Sequence, residues 1–294
     1  MAHSITDLIG NTPLVLSKTL NTNTNVKLYF KMEGHNPGGS VKDRAAFNMI
    51  ASGLHSGVIT KETRLIEATS GNTGIALAMI AGLYGLNIEL VMPENATKER
   101  VQTMRAYGAL VTLTSSDKGI EGARDYAEAK VAMEGYYMLD QFSNEDNWKA
   151  HYKTTGPEIW NDTGGKITHF VSSMGTTGTI MGTSTYLKEQ NKKVQIVGVQ
   201  PTDDSSIPGI RKWPEAYLPK IFDARKVDQV LEVSEAEAKS MAMRLAKEEG
   251  IFAGMSSGGA TAAALKLANS LEYGTIVSII CDRGDRYLSS DLFE

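Results

Sequence analysis

Strand-like and helix-like segments alternate along almost the whole chain, and that alternation constrains the fold more than any other feature. Runs over 26–32, 64–68, 87–92 and 109–113 read as strands, and the segments over 41–54, 75–86, 97–107 and 117–133 between them read as helices. The second half repeats the grammar, with a helix over 144–160, a strand over 169–173, a helix over 177–189 and strands over 195–200 and 229–233. Helices over 234–249 and 257–271 and a strand over 275–281 complete it. A strand–helix–strand repeat returns to a parallel sheet through right-handed crossovers. The reading is therefore α/β, with two parallel-type three-layer α/β/α lobes and the ligand crevice between them. An irregular stretch over 201–227, with prolines at 201, 208, 214 and 219, is longer than a plain connection needs, and such loops tend to be functional.

Charge and cysteine content exclude several classes. Thirty Lys and Arg stand against 34 Asp and Glu, a formal charge of −4, so no basic excess exists to neutralise a nucleic-acid backbone. The single cysteine, Cys281, cannot form an intramolecular disulfide, which fits a reducing compartment. No basic leader with an apolar stretch opens the chain, and the longest apolar run, 75–86, is short of the ~20 residues a membrane span needs. The expected location is cytoplasmic, with no nucleic-acid or membrane partner. The five histidines show no ligand spacing, so no metal site is expected.

Two loops share one form, in which a strand ends, small hydroxylated residues and glycines follow, and a helix begins. They are Thr69-Ser70-Gly71-Asn72-Thr73-Gly74 and Gly175-Thr176-Thr177-Gly178-Thr179. Free amides at a helix start bind phosphate or carboxylate without Lys or Arg. Each loop alone is compatible with an ordinary βα turn, but two on one scaffold point to a ligand with two anionic ends. Neither fits the dinucleotide or P-loop patterns. Lys42 follows Gly38-Gly39-Ser40-Val41 at a helix start, with Ser40 and Asp43 spaced as a capping-box variant. It reads either as a solvated lysine or as an amine nucleophile toward an aldehyde cofactor, because a cation is out of place at a helix N-terminus.

Asn36-Pro37-Gly38-Gly39-Ser40-Val41-Lys42-Asp43-Arg44, the two loops and Gly254-Met255-Ser256-Ser257-Gly258 together resemble the fold-type-II, tryptophan-synthase-β-like pyridoxal-phosphate (PLP) enzymes. Their order is similar to the cysteine synthase (O-acetylserine sulfhydrylase) branch, and the likeness runs from Ile9-Gly10-Asn11-Thr12-Pro13-Leu14 to the end. The segments 205–214 and 281–288 resemble the B-type members of that branch. Gly38 and Lys212 depart from the usual Ala and Arg.

The resemblance implies that Lys42 holds PLP covalently and then acts as general base at Cα. It implies that Asn72 bonds the cofactor's 3′-oxygen, that Gly175, Thr176, Thr177, Gly178 and Thr179 bind its phosphate, and that Ser256 faces the pyridine nitrogen. Spacing alone leaves Ser256 and Ser257 both open for that contact; the family pattern points to Ser256. Thr69, Ser70, Gly71, Thr73 and Gln141 would take the substrate carboxylate, and Arg211 and Cys281 would line the place of the sulfur donor. A hydroxyl at the ring nitrogen disfavours long-lived carbanion chemistry and favours loss of a β-leaving group. The implied reaction makes cysteine and acetate from O-acetylserine and sulfide, with S-sulfocysteine from thiosulfate as an extension. A homodimer is implied, with a smaller mobile domain over 41–147 and a larger one of 1–40 plus 148–294. The alternatives are a serine or threonine dehydratase-like lyase of the same fold, and a non-catalytic paralogue that acts by binding a partner.

Overall fold

Two sheets organise the chain in a computed structural model that describes residues 2–293. In order the elements are β1 (Leu14–Leu16), β2 (Val26–Met32), α1 (Lys42–Ser56), β3 (Arg64–Ala68), α2 (Asn72–Leu83), β4 (Asn87–Pro93), α3 (Lys98–Ala106), β5 (Leu110–Thr114), α4 (Gly119–Glu134) and β6 (Tyr137–Met138). There follow α5 (Glu145–Lys153), α6 (Thr155–Asp162), β7 (His169–Ser173), α7 (Gly178–Gln190), β8 (Gln195–Pro201), β9 (Gln229–Val233), α8 (Glu235–Arg244), α9 (Met255–Ser270) and β10 (Gly274–Ile280). The larger sheet runs β1-β2-β10-β7-β8-β9 and the smaller β5-β4-β3-β6.

Every pairing is parallel except β1 with β2, where Leu14 lies opposite Lys31 and Leu16 opposite Tyr29. The larger sheet is thus mixed, with an antiparallel edge strand of a kind common in α/β folds. The α/β reading with two lobes holds. The helix expected over 144–160 is two helices. Pro157 has no N–H to give to the carbonyl of Lys153, so the chain breaks at Thr154 (φ −129°, ψ −69°) and restarts with the proline in the first turn, where no donor is required.

Burial follows the sheets. In β2, Val26, Leu28 and Phe30 point into the core of the larger lobe beside Val171, Val197 and Ile276. The smaller lobe closes around α2, whose residues from Thr73 to Ala81 are all buried because the helix packs against α1, α3 and β4 at once. A helix apolar all round is what such a position demands. Burying side chains such as Leu77 and Ile80 contributes about 1.5–3 kcal/mol each. No helix among the described residues is long and apolar enough to cross a membrane.

A buried ion cluster joins α1 to the larger lobe. Arg44 donates to both oxygens of Glu33 at 2.7 Å and to both of Glu158 at 2.6 and 2.7 Å, while Lys31 meets Glu158 at 2.8 Å and Thr12 donates to Glu33 at 2.7 Å. Burial alone would raise the Glu33 carboxyl, but the Arg44 guanidinium overrides it and holds the group down at about 2. Arg44→Met would strand the buried Glu33 carboxylate and leave Glu158 to Lys31, so urea unfolding should show a loss of about 3–5 kcal/mol. Because the folded pKa of Glu33 lies below its ordinary 4.5, its stabilisation is full above that pH and lost as pH falls toward 2. In Arg44→Met that pH-dependent stabilisation is gone, so the stability difference from the parent, measured by urea unfolding, should narrow as pH falls from 4.5 toward 2; a difference independent of pH would contradict this role.

Candidate active site

The lysine turn, the two hydroxyl-rich loops and the residues around Gln141, Arg211 and Cys281 follow the carboxyl ends of strands, while 254–258 opens α9, which packs on β10 and β7 of the larger sheet. Beyond β2 the chain makes a tight turn in which the Gly39 amide donates to Asn36 O at 2.7 Å with Gly39 at φ +82°, a conformation suited to glycine. Val41 N then donates to Cys281 O at 2.8 Å and Ser40 bridges Asp282, so the start of α1 is stitched to the end of β10. Lys42 is the first residue of α1 and is half-buried. The capping box does not form as expected. Ser40 Oγ accepts from the amide of Lys42 at 3.2 Å, while the carboxylate of Asp43 reaches past Ser40 to Gly38 N at 2.5 Å. Burial pushes the Asp43 carboxyl up to about 7.

After β3 the loop Thr69–Gly71 leads into α2, with Gly71 as the N-cap and Asn72 the first helical residue. Thr73 Oγ1 donates to Gln141 Oε1 at 2.7 Å, and Gln141 is buried beside the loop. Its backbone is held by Glu67 of β3, which accepts from Asp140 N at 3.0 Å and Gln141 N at 3.4 Å, with Asp140 turned to φ +50°. Burial pushes Glu67 up to about 7.

After β7 the second loop caps α7, with Thr177 as N-cap at φ +70°, a strained conformation for a β-branched residue. Gly175 lies so close to the carbonyl of Gly209 that a Cβ would stand 2.7 Å from it, and a Cβ on Gly178 would overlap Asn147. Asn147, buried in α5, donates to Gln141 O at 2.7 Å and to Thr176 Oγ1 at 3.2 Å, tying the two loops together. His151, one turn on, contacts Thr155 Oγ1 at 2.9 Å and Thr179 Oγ1 at 3.3 Å. Burial, then the nearby Arg44 charge, lowers His151 to about 3, so the ring is neutral. Trp213 Nε1 donates to Gly175 O at 2.8 Å.

In α9, Ser256 and Ser257 diverge. Ser257 Oγ accepts from Cys281 N at 2.9 Å and so serves the end of β10, whereas Ser256 lines the cavity. That cavity, about 610 Å³, is of ligand size and lies between the lobes. Lys42, Thr69, Ser70, Gly71, Asn72, Thr73, Gln141, Gly175, Thr176, Thr177, Thr179, Arg211, Ser256 and Cys281 all lie on its wall. Of the residues singled out, Gly178 alone stays off it, packed on Asn147. Glu67, Asn147, His151, Arg100 and Arg124 carry no local sequence signal, and their part emerges only from packing; Arg286 lies in the 281–288 segment that the sequence singled out, without a role assigned to it.

Among the described residues the wall carries Lys42, Arg100, Arg124, Arg211 and Lys212 against one carboxylate, Glu121, so an acidic chain has a cationic pocket. The Thr177 hydroxyl is buried without a partner among the described residues at the N-terminus of α7. An unspent donor there, in a loop with glycines at 175 and 178, suits a phosphate, and the amine of Lys42 on the same wall suits an aldehyde. The residues present therefore fit PLP. No group of His, Cys, Asp and Glu suited to a metal occurs among the described residues.

Comparison with known proteins agrees with this chemistry. Residues 5–282 match the family described as "Pyridoxal-phosphate dependent enzyme". The chain is 58% identical to cysteine synthase B of Pseudomonas aeruginosa, covering 99% of this chain and 97% of that one. It is 55% identical to cysteine synthase B of Escherichia coli, covering 97% and 94%. The crystal structure of a cysteine synthase from Entamoeba histolytica superposes with a TM-score of 0.95 at 35% identity, over 100% of this chain and 91% of that one. A lysine and a phosphate-suited helix start on one interlobe cavity, in a chain matched nearly end to end, place this protein in the pyridoxal-phosphate-dependent enzyme family with the fold-type-II architecture.

Proposed function

We propose that the chain catalyses β-replacement, converting O-acetyl-L-serine and sulfide to L-cysteine and acetate. The observation that carries this reading is the meeting on one wall of Lys42, the Thr69–Thr73 loop with Gln141, and Ser256. When bound, PLP supplies an electron-withdrawing ring that acidifies Cα–H of an amino acid and lets a β-acetoxy group depart as acetate. Lys42 would hold the cofactor through its aldehyde and would serve as the base for the substrate's Cα proton. Thr69, Ser70, Gly71, Thr73 and Gln141 hold the substrate carboxylate, Asn72 bonds the 3′-oxygen, and the Gly175–Thr179 loop holds the phosphate. Ser256 offers a hydroxyl to the ring nitrogen, which supports elimination and replacement over transamination.

Thiosulfate is inferred as a second sulfur donor. Arg211 is exposed at the cavity mouth, its guanidinium 5.4 Å from the centre of the Trp213 ring, and makes no ion pair among the described residues. An unpaired guanidinium at a pocket mouth suits a small dianion. Burial pushes the Cys281 thiol up to about 11, so it stays protonated below that pH and serves as a small neutral wall rather than a nucleophile. We further infer that residues 41–147 move as the smaller unit against 1–40 plus 148–294, closing the cavity and excluding water. A cytoplasmic homodimer accompanies this reading.

Supplied with O-acetylserine and sulfide, the PLP-loaded protein should yield cysteine by mass spectrometry. Pyruvate at equal rates with and without sulfide would instead favour the dehydratase reading. Lys42→Ala should lower kcat by about 10²–10⁴-fold, the worth of a positioned base, without lowering the melting temperature; full turnover would remove its role. Arg211→Ala should weaken use of thiosulfate on the order of tenfold more than use of sulfide, measured as kcat/KM for each donor. Equal losses with both donors would remove the assignment.

A further inference from the structure

Asn72 has its two polar ends claimed by opposite partners. Its Nδ2 donates to Asp282 Oδ2 at 2.7 Å, and its Oδ1 accepts from Arg286 Nη1. Tyr287 Oη also donates to Asp282 Oδ2, at 2.6 Å, so that oxygen is held from both sides. A guanidinium can only donate, so the amide oxygen must face Arg286 and the amide nitrogen must face Asp282. Turning the amide over would forfeit both bonds, and one Nδ2 hydrogen is left unspent beside the cavity that Asn72 lines.

Arg286 is itself fixed. It is 7% exposed, its Nη2 donates to Gly38 O, and it lies flush against Gly39, where a Cβ would stand 2.5 Å away. Its charge is felt by Asp43, beside Lys42. One planar fork therefore spans two segments that belong to different sheets, the lysine turn behind β2 and Asn72 behind β3. A lysine, with a single point of donation, could not serve both oxygens in the same way.

We propose that Arg286 is a positioning residue that fixes the Asn72 amide so that N–H, and not C=O, is presented to the cofactor's 3′-oxygen. This rests on the reading of Asn72 given above. Without Arg286 the Asn72 Oδ1 loses its donor and the Asp282 bond alone opposes rotation of the amide, so the N–H is held less firmly toward the 3′-oxygen.

The test uses apo-protein titrated with PLP, reading the dissociation constant by fluorescence and the absorption band of the bound cofactor, with thermal midpoints recorded alongside. Arg286→Gln should weaken PLP binding about tenfold and shift the band, as Asn72→Ala should. The double variant should bind no worse than the weaker single one, because both substitutions remove the same contact. A wild-type band and affinity in Arg286→Gln, or losses that multiply in the double variant, would overturn the proposal. Should Arg286→Gln fail to fold, Arg286→Lys decides: an intermediate shift supports the proposal, and unchanged band and affinity overturn it. Wild-type protein that takes up no PLP would overturn the underlying reading and the proposal together.

Discussion

One backbone hydrogen bond, from Val41 N to Cys281 O, fixes the element on which the site depends. It joins the residue before Lys42 to the end of a central strand of the larger sheet, and the Ser40–Asp282 bridge reinforces it. Helix α1 therefore starts where the sheet ends, with its first side chain on the cavity wall. The same constraint accounts for the glycines of the turn, since the chain must reverse at Gly39 beside a buried guanidinium. Arg44, in the same first turn of the helix, is secured through Glu33 and Glu158, so Lys42 is held by a backbone bond on one side and an ion cluster on the other.

Charge is distributed to the same end. The chain as a whole is mildly acidic, yet cations dominate the cavity wall, and low-dielectric walls focus such a field on an entering anion. Behind that wall the ring of His151 is kept neutral, and on it the Cys281 thiol is kept protonated by burial, so neither adds charge to the pocket. Donors for anions come instead from helix starts and hydroxyls, which provide polarity without protonation equilibria near neutral pH.

Much of this was legible in the sequence for local reasons. The strands over 64–68, 169–173 and 229–233 fall where continuous or alternating apolar runs put them, and the loops after 68 and 174 declare themselves by glycine and hydroxyl content. The two strands with no expectation, β1 and β6, have three and two residues, too few for a period to show. The break between α5 and α6 was masked by a helical apolar pattern that outweighed Pro157. Residues that support the site from a distance, such as Asn147 under Gly178 and Glu67 under Gln141, had no signal because their roles arise from contacts between segments far apart in the chain. Spacing left Ser256 and Ser257 both open while the family pattern pointed to Ser256, and the end of β10 claims the second hydroxyl.

The central claim is that the ε-amine of residue 42 is the point of cofactor attachment. Reduction of the PLP-loaded protein with borohydride, followed by proteolysis and tandem mass spectrometry, tests it directly. A pyridoxyl adduct on Lys42 is the expected result. An adduct on a different lysine, or an unmodified Lys42 peptide from reduced and inactivated protein, would contradict the account.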